Sequence, residues 1–179
     1  MRTIILNQRK ERDELLSRPY LLRHLNQDTE VLLNSSLIKL IRGPRRVGKS
    51  TQALLMWRDT NFAYLNFDNQ ALLSAWDADL VMRMLDDVYP EYEYLLLDEM
   101  QYLPAWDLWV SELSRTGNNL VITGSNAKML SSEMATVLTG KYLQVEMLPF
   151  SLEEFFDWNK IDLQMPRAEH DTTLTLLTD

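Results

Sequence analysis

Gly43-Pro44-Arg45-Arg46-Val47-Gly48-Lys49-Ser50 fits G-x-x-x-x-G-K-[ST], the pattern of a phosphate-binding loop. The apolar run Leu37-Ile38-Lys39-Leu40-Ile41 precedes it, and a helix-compatible run, Lys49 to Arg58, follows. Strand, tight loop and helix in this order bring backbone N–H groups and a helix N-terminus together around one anion. Gly43 and Gly48 permit backbone angles and a close approach that a Cβ would block. Lys49 places a point charge on the outer phosphates, and the Ser50 hydroxyl can complete a Mg²⁺ shell. The stretch 43–51, through Thr51, is therefore expected to bind a nucleoside triphosphate.

Composition sets the frame. The 179 residues suit one domain with a real hydrophobic core, and 46% apolar with 25% charged residues is the balance of a globular protein. No apolar run is long enough to span a bilayer, and Ile4-Ile5-Leu6 is too short for a signal-peptide core. With no cysteine there are no disulfides, thiolate metal sites or thiol nucleophile. His24 and His170 have no second nitrogen or sulfur ligand at metal-binding spacing. The expected location is the cytoplasm, without a membrane.

Net charge is −8 but unevenly spread: residues 1–50 carry eleven Lys+Arg against five Asp+Glu, and the remainder seven against twenty-one. The acidic body argues against direct nucleic-acid binding. The basic N-terminal third could serve nucleotide phosphates, or a partner's acidic face in a head-to-tail homo-oligomer. Arg9, Lys10 and Arg12 read as a solvated helix face.

From residue 37 onward apolar strands (37–42, 62–67, 92–97, 119–123, 142–147) alternate with helical runs (49–58, 71–88, 105–114, 127–138). Residues 8–25 read as helical turns interrupted near Pro19. The alternation predicts an α/β fold, a parallel sheet with helices on both faces, with ligands at the carboxyl ends of the strands.

The chemistry should therefore follow each strand. Tyr94-Leu95-Leu96-Leu97-Asp98-Glu99 ends a buried strand in two acids. Asp98 can hold a water of the Mg²⁺ shell, and Glu99 can take a proton from, or orient, the water attacking a γ-phosphate. After Leu120-Val121-Ile122-Thr123-Gly124 come Ser125 and Asn126, placed to sense the γ-phosphate or to cap the 127–138 helix. Ser125 is the first choice as sensor. Asp68 reads as a turn acid. Arg45 and Arg46 could lean on the nucleotide or a neighbouring subunit, or stand as solvated loop cations. Gln101 could orient water or a switch loop, or be a surface glutamine. Trp57, Trp76, Trp106 and Trp109 read as core or interface.

With these residues in place the chain resembles a prokaryotic group of AAA-type P-loop ATPases, in which an N-terminal ATPase domain precedes a C-terminal domain of unknown function. The resemblance runs from about Arg18 to Trp158. It rests on the loop 43–50, Leu97-Asp98-Glu99-Met100-Gln101, Thr123-Gly124-Ser125-Asn126 and Leu148-Pro149-Phe150-Ser151-Leu152-Glu153-Glu154-Phe155. It implies a three-layer P-loop NTPase sandwich with a five-stranded parallel sheet of order 5-1-4-3-2. It also implies Lys49 and Ser50 on phosphate and Mg²⁺, Asp98 on Mg²⁺ and Glu99 on water. With the strand-end reading of Ser125 and Asn126 the expected motifs are Walker A, Walker B and sensor-1, and the expected catalytic set is Lys49, Glu99, Ser125 and Asn126. Adenine over guanine rests on the resemblance alone.

Two departures stand out. Gly140-Lys141 occupies the place where the group writes Gly-Arg, and lysine lacks the planar bidentate fork of arginine. The chain reaches Asp179 soon after Phe155-Phe156, so it is expected to be a fragment of a longer protein that stops short of a helical lid, or else a reduced family member. The expected division is an N-terminal helical segment (1–30), the ATPase domain (31–158) and a tail (159–179) truncated before a lid and a second domain. Hydrolysis of ATP with Mg²⁺ is the leading expectation. A nucleotide-operated switch with little turnover is the alternative, and a small-molecule kinase is disfavoured for want of an arginine-rich lid.

Overall fold

The apolar runs of the sequence become five parallel strands: β1 (Ile38–Gly43), β2 (Phe62–Asn66), β3 (Tyr94–Asp98), β4 (Leu120–Ser125) and β5 (Tyr142–Glu146). Their order across the sheet is β2-β3-β4-β1-β5, the expected order read from the opposite edge. The computed structural model describes residues 1–21, 23, 29–125 and 140–159, in two compact units, Met1–Met147 and Leu148–Asp179.

In the first unit the strands bury side chains on both faces, as a parallel sheet covered by helices must. On one face Leu40, Leu65, Leu97 and Ile122 join Ile5 of α1 (Arg2–Leu16), Leu72 of α4 (Gln70–Ser74), Val81 and Leu85 of α5 (Ala78–Val88) and Val110 of α6 (Trp106–Arg115). On the other, Ile41, Tyr64, Leu96 and Val121 join Leu32 of α2 (Thr29–Asn34) and Ala53 and Leu54 of α3 (Lys49–Met56). This is a three-layer α/β sandwich. Trp57 is fully buried, and Trp76 and Trp109 meet edge to face at 4.9 Å beside Phe67, in keeping with a core role for these rings.

Two boundaries differ from the sequence reading for local reasons. The run 71–88 is two helices, because Asn69 caps the first through the Leu72 N–H (2.9 Å) and Asp77 restarts the second through the Leu80 N–H (2.8 Å). The N-terminal helix begins at Arg2 and ends at Leu16, ahead of Pro19, instead of running in turns from 8 to 25. The expected helix at 127–138 lies outside the described residues.

Strand β2 is an edge of the sheet, and α1 covers it. Gln8 Nε2 donates to the Asn66 carbonyl and Gln8 Oε1 accepts the Asn66 N–H, both at 2.9 Å, so one side chain mimics a neighbouring strand. Arg12 donates to the Phe62 carbonyl at 2.7 Å while its guanidinium lies over the Phe62 and Tyr89 rings. These bonds occupy both ends of an edge strand that could otherwise pair with another chain.

In the second unit, α7 (Leu152–Asn159) opens with a capping box. Ser151 Oγ accepts the Glu154 N–H at 3.1 Å, and Glu154 Oε2 accepts the Ser151 N–H at 2.8 Å. The Leu148–Phe155 signature thus contains a helix start written as Ser-x-x-Glu.

Candidate nucleotide site

The loop grows from the carboxyl end of β1. A Cβ on Gly43 would sit 2.2 Å from the Met147 carbonyl oxygen, so only glycine lets the chain pass there. Gly48 has φ 87° and caps α3, and Arg46 shares the left-handed region at φ 65°. Lys49 is 4% exposed, and its Nζ donates back to the Pro44 carbonyl at 2.9 Å, across the loop it belongs to. Burial lowers the Lys49 pKa; the charges of Glu99 and Asp98 raise it in opposition, and Arg45 adds to the lowering.

Asp98 at the end of β3 and Glu99 just after it therefore lie within electrostatic reach of the loop lysine. Asp98, 1% exposed, accepts from Tyr64 Oη at 3.0 Å on Oδ2 and from Thr123 Oγ1 on Oδ1. Burial pushes its carboxyl above the usual carboxylate range, opposed by hydrogen bonds from Thr123, Ser50 and Tyr64. Ser50 and Asp98 are thus neighbours. Glu99 turns away from the strand at φ 54°, and its N–H donates to Thr123 Oγ1 at 3.0 Å. A non-glycine residue in that region is held there by its surroundings.

The short 3₁₀ turn Met100–Tyr102 ties these parts together. Gln101 Nε2 donates to Glu99 Oε2, and Gln101 Oε1 accepts the Ser125 N–H at 3.2 Å. Arg45 of the loop donates to Tyr102 Oη. Ser125, 8% exposed, is register partner to Gly43 and so lies beside the start of the loop. Asn126 lies outside the described residues. Asp68 is exposed, and its N–H donates to Asn66 Oδ1 at 2.8 Å in a turn.

Lys141 stands apart. It is exposed at the amino end of β5, where its carbonyl accepts the Ile38 N–H at 3.0 Å. The loop follows the opposite end of β1, about 17–20 Å away along six strand residues. Two further participants come only from tertiary pairing. Tyr64 and Thr123, the hydroxyls that orient Asp98, reach it from β2 and β4. A threonine inside the apolar run 120–124 is the one sequence signal that could have found either.

The geometry defines a P-loop nucleotide-binding fold with two acids in electrostatic reach of the loop lysine. Comparison with known proteins agrees. The family described as an AAA domain matches residues 35–156. The chain belongs to this AAA-domain family of nucleotide-binding P-loop ATPase domains. An uncharacterized protein of Haemophilus influenzae is 35% identical over 144 residues, spanning 73% of this chain and 36% of that protein. An uncharacterized protein of Methanocaldococcus jannaschii is 33% identical over 144 residues, spanning 78% of this chain and 33% of its own length. The matched region is thus about a third of each of these relatives. Among solved structures, AMPPCP-bound DnaA from Aquifex aeolicus superposes with a TM-score of 0.51 over 80% of this chain and 52% of its own, at 17% identity, a likeness of fold. No helix among the described residues is long and apolar enough to cross a membrane.

Proposed function

We propose that the chain hydrolyses ATP with Mg²⁺. The observation that carries this reading is the placement of Asp98 and Glu99 at one strand tip, both within electrostatic reach of Lys49. A buried carboxylate beside a serine hydroxyl, turned by two further hydroxyls, fits a hard divalent cation held through oxygen and water. Ser50 and Asp98 would hold it, and what Mg²⁺ supplies when bound is neutralisation of charge on the phosphate oxygens. Lys49 and the loop amides of 43–51 bind and orient the phosphates. Glu99 accepts a proton from the attacking water or aligns it, and Ser125, with Asn126 as second candidate, faces the γ-phosphate.

Two substitutions separate binding from chemistry. Lys49→Ala should abolish most MgADP affinity in calorimetric titration, because the phosphates lose their nearest full positive charge. Glu99→Gln keeps shape and hydrogen bonding, so affinity should survive while phosphate release falls by about 10²-fold or more. Equal titrations for Lys49→Ala and wild type would refute the loop's role. A Glu99→Gln variant hydrolysing at the wild-type rate would favour the nucleotide-operated switch instead.

The position of Lys141 supports a second element of this reading. An exposed cation at the amino edge of the sheet cannot serve the loop of its own chain, but it can serve a neighbour's in a head-to-tail homo-oligomer. A cation supplied in trans is worth about 10³–10⁵ in rate. Specific activity should therefore rise with protein concentration over a hundredfold range, and more steeply for Lys141→Arg. A fast rate indifferent to both would place the whole site within one subunit.

A further inference from the structure

We propose that Gln101 is a positioning residue: it fixes the Glu99 carboxylate to the end of β4, so that the strand lying beside the phosphate loop aims the base. The inference rests on the hydrolytic reading above. Gln101 uses both ends of its amide, donating through Nε2 to Glu99 Oε2 and accepting the Ser125 N–H on Oε1 at 3.2 Å. Ser125 is in turn paired in register with Gly43, the first residue of the loop. A continuous path of backbone and side-chain contacts thus runs from the loop through Ser125 and Gln101 to the carboxylate that faces water.

The backbone around Glu99 explains why such a strut is needed. At φ 54° Glu99 leaves the strand, and its N–H is taken by Thr123 Oγ1, which pins the main chain but leaves the side chain's torsions free. The 3₁₀ turn then brings residue 101 back over residue 99. Gln101 commits one carboxylate oxygen and leaves the other to accept the proton of a water. Its neighbour Tyr102 accepts a hydrogen bond from Arg45, so the turn is anchored to the loop on that side as well. Misplacing a general base is worth about 10–10²-fold in turnover without touching the groups that bind phosphate.

Two variants test this, read by turnover, by MgADP titration and by exchange of the Ser125 amide hydrogen in the nucleotide-free protein. Gln101→Ala removes both bonds. Turnover should fall about 10–10²-fold with MgADP affinity within about threefold of wild type, and the Ser125 amide should exchange about tenfold faster. Gln101→Glu keeps the acceptor for Ser125 but sets a carboxylate against Glu99. Exchange should stay slow while turnover falls, because the new carboxylate repels Glu99 and cannot donate to it as the amide does. Wild-type turnover in both variants, or unchanged Ser125 exchange in Gln101→Ala, overturns the proposal. Loss of affinity in step with turnover does so too, because Gln101 would then belong to the loop's scaffold. If the wild-type protein hydrolyses no ATP, the hydrolytic reading fails, and the strut itself is still judged by the exchange rates.

Discussion

Tyr64 of β2 donates its phenol to Asp98 Oδ2 at the tip of β3 across 3.0 Å, with both side chains buried. Burial and the neighbouring Asp98 charge hold the phenol protonated, so Tyr64 remains a donor over the whole physiological range. The carboxylate it meets is nevertheless a strained guest. Three hydroxyls favour its anion, yet desolvation is the larger effect and raises its pKa above the ordinary 3.8.

The cost should appear in stability. A carboxyl with a raised folded-state pKa keeps a proton that the unfolded chain has already lost. Stability from this group is therefore greatest in acid and falls as pH climbs from about 4 through the folded value. Asp98→Asn removes the buried charge, so the nucleotide-free variant should melt higher than wild type at pH 7, with the gap closing toward pH 4. Each kcal/mol relieved corresponds to about 2–4 °C in a chain of this size. Thermal scans at the two pH values decide it, and an Asp98→Asn protein melting below wild type at pH 7 would show that the hydroxyl cage outweighs desolvation.

Lys39 makes the opposite kind of prediction. It is fully buried in β1, donating to the Ser35 carbonyl and to Asn119 Oδ1 beneath the Tyr94 ring. Burial lowers its pKa from 10.5 to about 8. Between those values the unfolded chain binds a proton that the folded chain has released, so this group adds stability as pH rises from about 8 to about 10.5. Lys39→Met should lack that contribution. Urea unfolding of both proteins at pH 7.5 and pH 9.5 measures it: the wild type should gain relative to the variant at the higher pH, and parallel behaviour would refute the assignment.

Gln8 carries a stability prediction of its own. Its amide completes the outward N–H and carbonyl of Asn66 on the β2 edge. Gln8→Ala leaves both to find other partners, at a cost of about 1–3 kcal/mol, and reopens an edge that can pair with another chain. Equilibrium unfolding should show the loss, and light scattering on mild heating should show earlier association. An unchanged urea midpoint would mean that water serves the edge as well as Gln8 does.

Parts of the site legible from the chain alone are those written in consecutive residues. The loop 43–50 announces itself by glycines at the positions where a Cβ collides or φ turns positive, as Gly43 against Met147 and Gly48 both bear out. Leu95-Leu96-Leu97 ending in Asp98-Glu99 reads as a buried strand with two acids at its end, and both acids lie in electrostatic reach of Lys49. The Ser151-x-x-Glu154 box was equally local and could have been read from its spacing. The break at Ala75–Asp77 could not be, since the apolar periodicity runs through it and the Asp77 cap outweighs that period only locally.

What the sequence by itself determined is the alternation of strands and helices and the residues that stand at each strand's carboxyl end. Both depend on patterns a few residues long, in which side-chain period and backbone preference act together. Only the tertiary structure decided which hydroxyls and amides reach the acids. Tyr64 lies 34 residues from Asp98, and Thr123 lies 25 beyond it. Gln101 meets Ser125 across 24 residues. Such contacts follow from the order β2-β3-β4-β1-β5 and its register, set by burial of both sheet faces over the whole domain. A polar side chain in an apolar strand carries no mark of its partner until the neighbouring strand is laid beside it.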